Sequence, residues 1–197
     1  MKPENCALFI LAAGQSTRFG TQDKLMADLG GKPVLAHVID TSEPIQFQAK
    51  YGIIPSSSVK RRALFEQREF SFIENDAPES GQGSSLILAA QTAIAQDYDA
   101  ICILLADMPF VPTAHLETLI DTLYDKKTAI SACNHTTMPP MAVRKPVFEA
   151  LSKINPKGGA KALFKDGVTV YLPLSNRAAQ DIDTPEDLAW LNRQIGA

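Results

Sequence analysis

Along the chain, short continuous apolar runs alternate with stretches whose apolar residues recur every three or four positions, and these two periods separate strands from helices. CALFILAA (6–13) reads as a buried strand, and PVLAHVIDTSE (33–43) as a helix opened by Pro33, a residue suited to a first turn. IQFQAKYGIIP (45–55) predicts a second strand, SVKRRALFEQRE (58–69) a helix and FSFIEND (70–76) a strand. SSLILAAQTAIAQ (84–96) predicts a helix with Ser84 as N-cap, and AICILLAD (100–107) is the most apolar strand of the chain. A helix capped by Thr113 follows, then the strands TAISAC (128–133) and TVYLPL (169–174). DTPEDLAWLNRQI (183–195) closes the pattern as a helix with Thr184 at N-cap, Pro185 at the first position and Asp187 completing a capping-box-like arrangement.

Strands alternating with helices over short connections imply right-handed crossovers and a mainly parallel sheet covered on both faces. The expected fold is therefore a Rossmann-like, three-layer α/β sandwich. Residues 134–166, with several prolines and the Gly158-Gly159 pair, break the rhythm and read as an irregular subregion serving an acceptor within one domain spanning 1–197.

Composition narrows the function by exclusion. The 197 residues are 45% hydrophobic and 21% charged, ordinary for one globular domain. A net charge of −3 and a pI near 5.6 give no broad field that would draw the molecule to a nucleic-acid backbone or an anionic membrane, so any anion site is local. Nothing approaches the roughly 20 apolar residues of a spanning helix. The run from Cys6 to Ala13 has the length of a signal-peptide core, but Glu4 precedes it and a polar loop continues from it. Cys6, Cys102 and Cys133, odd in number and set in or beside apolar runs, argue against a disulfide framework and for a reducing cytoplasm.

The chemistry concentrates where strands end. In open α/β sheets ligands bind beyond the carboxyl ends of the strands, which is where LAAGQSTRFGTQDKL (11–25) follows the first strand. After Leu11, the small residues Ala12, Ala13 and Gly14 leave room for close approach of a ligand to backbone amides that can hold phosphate oxygens, and Arg18 and Lys24 add local positive charge. The loop has neither a Walker Gly-Lys-Ser/Thr nor the glycine pattern of dinucleotide binders, and spacing alone leaves open a small-residue turn with solvated cations. Asp107, just past the most apolar strand, stands where a carboxylate caps a turn or serves as a phosphoacceptor. His37 and His115 fall in helical patterns and read as structural.

Taken in order, LAAGQSTRFGTQDKL, NDAPESGQGSSL (75–86), LLADMPFV (104–111), GGAKALF (158–164) and DIDTPEDL (181–188) resemble the signatures of the MobA-like nucleotidyltransferases, and the similarity runs over nearly the whole chain. The resemblance implies transfer of a nucleoside monophosphate from a Mg²⁺-bound nucleoside triphosphate to a phosphorylated small-molecule acceptor of the molybdopterin type, with pyrophosphate leaving. It implies Asp107 as a Mg²⁺ ligand with Asp181 or Asp183 as the second carboxylate, Arg18 and Lys24 at the phosphates, and Asn75, Ser80, Gly81 and Ser84 at the base and ribose. Leu11-Ala12-Ala13-Gly14 is similar to the cytidylyl branch, so CTP is expected over GTP, although Asp23-Lys24 resembles the guanylyl branch. Met138-Pro139-Pro140-Met141 stands where cytidylyltransferases of the group show Gly-His-Pro. Lys145, Lys157 and Lys161 are the cations available to an acceptor phosphate, or else solvated surface lysines. The rival from another class, a nucleotide-binding or phosphoacceptor regulator, would need a further acidic pair after the first strand, where Ala12-Ala13-Gly14 stands instead.

Overall fold

The computed structural model describes residues 1–20, 22–157, 159–160, 163–164 and 168–195. Its elements in chain order are strand β1 (Cys6–Leu11), the short hairpin β2 (Asp28–Leu29) and β3 (Lys32–Pro33), helix α1 (Val34–Ser42), β4 (Ala49–Pro55), α2 (Val59–Gln67), β5 (Ser71–Asn75), α3 (Gln82–Ala95), β6 (Ala100–Leu105), α4 (Thr113–Thr122), β7 (Thr128–Cys133), β8 (Thr136–Arg144), α5 (Phe148–Leu151), β9 (Thr169–Pro173) and α6 (Pro185–Ile195). Among the described residues seven strands form one sheet in the order β5-β4-β1-β6-β8-β7-β9. Of these strands β8 alone runs antiparallel to its neighbours, so the sheet of the described residues is mainly parallel, as the alternation of periods predicts.

β1 lies between β4 and β6 and is buried along its whole length, which is why its sequence is apolar without alternation. Its residues still face opposite ways, because successive side chains of a strand point to opposite faces. Cys6, Leu8 and Ile10 join a core with Leu35 and Ile39 of α1, Leu116 and Ile120 of α4 and Leu191 of α6. Ala7, Phe9 and Leu11 join a second core with Leu86, Ala89 and Ala93 of α3 and Phe148 and Leu151 of α5. Two cores divided by one sheet are the expected three layers. No helix among the described residues is long and apolar enough to cross a membrane.

Helix α2 reaches the sheet through an absence of side chain. A Cβ on Gly52 of β4 would lie 2.4 Å from the ring of Phe65, so only glycine lets that ring lie on the strand. The contact seats the helix whose earlier turn carries Arg61.

Some boundaries differ from expectation for local reasons. α3 begins at Gln82, because Gly81 adopts φ 99°, a conformation open to glycine, and starts the helix early. Ser84 is thus inside the first turn, where its hydroxyl donates to the Gly81 carbonyl at 2.8 Å rather than capping. Thr113 is the first residue of α4 and not its cap; its hydroxyl donates to the Thr41 carbonyl at 2.7 Å and ties α4 to α1. The second strand starts at Ala49, with Ile45 buried ahead of it. At α6 the expected cap is present: Thr184 Oγ1 accepts from the Asp187 amide at 3.2 Å, and Asp187 Oδ2 accepts from the Thr184 amide at 2.8 Å.

The stretch from 134 opens with strand β8, which sequence reading placed in an irregular subregion. Ile130 pairs with Met141 but Ser131 with Met138, so Pro139 and Pro140 leave the ladder in a bulge. Prolines have no amide to offer a partner strand and are confined to such positions. Ser131 Oγ donates to the stranded Pro140 carbonyl at 2.7 Å.

Candidate active site

The end of β1 is held from both sides: the Ala12 amide donates to Ile53 O at 2.8 Å, and the Ala106 amide to Leu11 O at 3.1 Å. The chain then turns through residues 13–18, with Ser16 at φ 55°, into a short helical turn, Lys24–Met26. Asp23 caps that turn, accepting from the Leu25 amide at 3.0 Å. Beneath the loop lies Arg61, only 4% exposed. Its Nε and one terminal nitrogen donate to the two Asp23 carboxylate oxygens, each at 2.8 Å, and the other terminal nitrogen donates to Ala12 O at 2.5 Å and Gly14 O at 3.0 Å. Sequence reading missed Arg61 among the cations of a polar helix. The available signal was its place four residues before Phe65, on the same helical face.

The charged centre joins the first loop to the last. The Lys24 ammonium lies 2.7 Å from Asp107 Oδ2 and 3.0 Å from Asp183 Oδ1, and Arg18 reaches Asp183 Oδ2 at 2.7 Å. Asp181 and Asp183 come to the site because the Ile182 amide donates to the Asp107 carbonyl at 3.0 Å. Burial by itself would lower the Lys24 pKa, but the charges and hydrogen bonds of Asp107 and Asp183 outweigh it and hold the ammonium above its ordinary value. Asp181 sits at the solvent edge of this group; partial desolvation, then Asp107 and Asp183, raise its pKa. Arg18 is largely exposed, so its ion pair contributes little to stability.

A cavity of about 330 Å³ opens at the carboxyl ends of β1 and β6. Of the residues expected at the site, Leu11, Ala13, Gly14, Arg18, Lys24, Gly81, Asp107 and Asp183 line it, together with Gln15, Gln82 and Ser85, which sequence reading did not single out. Ala12 is fully buried behind the loop. Asn75, 2% exposed, spends its polar atoms on bracing the loop: its amide donates to Ser84 Oγ at 2.8 Å and Ser85 Oγ at 3.0 Å, and its oxygen accepts from the Ala77 amide at 3.0 Å. Asn75 and Ser84 therefore shape the 77–85 loop from behind, and neither they, Ser80 nor Asp181 stands on the lining. Lys145 pairs with Asp97, and its amide bonds Asp99 O before the start of β6, at the opposite end of the sheet. Lys157 is exposed, and Lys161 lies outside the described residues. His37 bonds Leu29 O at 2.7 Å and His115 bonds Ser131 Oγ at 2.8 Å, both structural roles as expected.

The start of α3 is locked to the segment after α5. The Gly83 amide donates to Pro156 O at 3.0 Å, and a Cβ on Gly83 would lie 2.3 Å from that oxygen. Gly83→Ala is expected to push the two segments apart and destabilise the fold by about 1–3 kcal/mol, the usual cost of overpacking. Gly14→Ala, whose Cβ meets nothing within 4 Å, leaves the melting temperature unchanged. Paired thermal melts check this, and equal melting temperatures for the two variants would refute the lock.

Residues 8–170 match the MobA-like NTP transferase domain. The purine catabolism protein PucB of Bacillus subtilis is 28% identical over 94% of this chain and 95% of its own length. The bifunctional protein GlmU of Rhizobium etli is 30% identical over 98% of this chain, which spans 38% of that longer protein. Among solved structures, Rv0371c of Mycobacterium tuberculosis superposes with a TM-score of 0.80 at 20% identity, covering 95% of this chain and 97% of that one, and it has also been solved in complex with manganese. Molybdopterin-guanine dinucleotide biosynthesis protein A of Archaeoglobus fulgidus superposes with a TM-score of 0.71 at 20% identity over 96% of this chain and 98% of that one. The structures share the fold, the domain match covers most of the sequence, and the chain belongs to the MobA-like NTP transferases, a nucleotidyltransferase family.

Proposed function

We propose that this protein transfers CMP from CTP to a phosphorylated acceptor of the molybdopterin type. The observation that carries the reading is Lys24 bridging Asp107 and Asp183 at the floor of a cavity rimmed by a small-residue loop whose Ala13 and Gln15 amides have no acceptor among the described residues. An acceptor phosphate oxygen attacks the α-phosphorus and pyrophosphate departs, so the chain supplies alignment and charge rather than a covalent intermediate. Amides of the 13–17 loop receive phosphate oxygens, while Arg18 and Lys24 stabilise charge that grows on them in the transition state.

The residues fit a divalent cation. Asp107 Oδ1 is buried with no hydrogen-bond partner among the described residues, an acceptor held ready at the cavity floor. Among the described residues no cluster of three or more histidine, cysteine or acidic ligands is set to hold a metal by itself. Two carboxylates with substrate phosphates and water suit Mg²⁺, which keeps several waters. Asp107 and Asp183 are the proposed ligands, with Asp181 at the edge, and Mg²⁺ when bound would neutralise triphosphate oxygens and the leaving pyrophosphate. The manganese complex of Rv0371c supports a divalent site on this fold.

Preference for CTP is supported by Ala13, which lines the cavity where a methyl would crowd a purine more than a pyrimidine, a difference of about 1–3 kcal/mol. Asp23, the feature shared with the guanylyl branch, is engaged by Arg61 and Leu25 and so speaks for loop structure more than for base choice. The molybdopterin acceptor rests on the family, with Lys157 the described cation near the base loop. Three buried free thiols support a reducing compartment such as the cytoplasm. Pyrophosphate release measured with CTP and GTP in competition, with and without molybdopterin, tests the reading. The expected result is molybdopterin-dependent release favouring CTP, narrowed by Ala13→Gly; a wild type that favours GTP overturns the base assignment, and release indifferent to molybdopterin overturns the acceptor.

A further inference from the structure

We propose that Arg61 is the positioning residue of the phosphate loop, aiming the amides of Ala13 and Gln15 and the ammonium of Lys24 into the cavity without touching substrate. The inference rests on the nucleotidyltransferase reading of the same site and adds to it a residue that stands outside the cavity lining.

The argument begins with peptide geometry. A trans peptide points the carbonyl of one residue and the amide of the next in opposite directions. The Ala12–Ala13 and Gly14–Gln15 peptides are trans. Arg61 holds the Ala12 and Gly14 carbonyls beneath the loop at 2.5 and 3.0 Å, so the amides of Ala13 and Gln15 are turned the other way, toward the side where both residues line the cavity. Those two amides donate to no protein acceptor among the described residues, which leaves them free for an anion.

The same guanidinium fixes the second half of the site. Its two remaining contacts hold both oxygens of Asp23, and Asp23 caps the turn that carries Lys24. One side chain thus ties the end of β1, the small-residue loop and the lysine turn into a single body. Four directed contacts at these separations need the planar fork of arginine; a lysine ammonium keeps the charge but cannot span them. α2 is itself seated by Phe65 on Gly52, so the fork is presented from a fixed base.

The test uses the full chain, with Arg61→Lys and Asp23→Asn, and inorganic triphosphate as probe. Calorimetric binding of triphosphate, kcat and KM, and hydrogen exchange at residues 13–15 are read together. Arg61→Lys is expected to weaken triphosphate binding, to lower kcat by roughly a hundredfold as a misplaced reacting group does, and to cut the protection that saturating triphosphate gives the amides of Ala13 and Gln15 while the sheet stays protected. Asp23→Asn is expected to do the same to a lesser degree, and supplies the result if the lysine variant folds poorly. Wild-type binding and kcat in Arg61→Lys overturn the inference, as does faster exchange across the whole sheet, which marks a purely structural role. A wild type that binds no inorganic triphosphate also overturns it. A wild type that binds triphosphate but transfers nothing to molybdopterin removes the acceptor assignment and leaves the Arg61 inference to be decided by binding and exchange.

Discussion

Asp107→Asn is expected to lower metal-dependent turnover by about 10³-fold while leaving the fold intact, on the scale of losing one main electrostatic contact to a transition state. The substitution keeps the shape of the side chain and its bond to Lys24 through the amide oxygen, so the β6 end and the Ile182 contact are undisturbed. What it removes is the negative charge of a group whose Oδ1 is buried and unpartnered among the described residues, the proposed anchor for the cation on the triphosphate. Steady-state kinetics across a Mg²⁺ titration check this, with a thermal melt alongside. Unchanged kcat at saturating substrate and metal would remove Asp107 from the machinery.

Lys24→Ala is expected to combine a catalytic and a stability loss. Its ammonium compensates two carboxylates at once and is 10% exposed. Removing one partner from a largely buried ion pair leaves uncompensated charge, a cost of up to about 3–5 kcal/mol. kcat is expected to fall by about 10²- to 10³-fold with a smaller rise in KM, because the contact strengthens as charge grows on the phosphoryl oxygens. The pH dependence has a definite sign. The folded chain holds the lysine pKa above its ordinary value of 10.5. The stabilisation is therefore fully present below that value and lost only as pH rises through the higher folded value. The melting-temperature gap between wild type and Lys24→Ala should be flat across the neutral range and close in strong alkali. A gap that closes near neutrality would contradict the assignment, and an effect confined to KM would make Lys24 a ground-state contact.

The sheet and its ligand end were legible because burial writes itself directly into sequence: β1 and β6 are apolar on both faces, and a small-residue loop at a strand end is topologically suited to a ligand. The charged centre was legible only as separate carboxylates and cations. That Lys24 joins Asp107 to Asp183 depends on the Ile182–Asp107 backbone contact, which no local pattern encodes. β8 escaped because Pro139-Pro140 reads as a break, whereas a bulge removes the two prolines from the ladder and lets pairing continue on either side. Ser84 looked like a cap because its residue type favours one, but the φ of Gly81 had already started the helix. Arg61 lay in a run of cations that suggests solvent, and only its phase relative to Phe65 separates it from Arg62 and Lys60.

The Ile182–Asp107 hydrogen bond also bears on when the site comes into being during synthesis. The strands that flank β1 are complete once residue 105 has been made, so the cavity's first wall can form early. Asp183 arrives only after all seven strands, delivered by the approach to α6. A nascent or truncated chain ending before Ile182 therefore holds the phosphate loop and Lys24 facing Asp107 alone, without the carboxylate that completes the charge balance. Such fragments are expected to remain silent in nucleotide transfer even where they keep the sheet, so the segment that carries Asp183 sets when the site becomes competent.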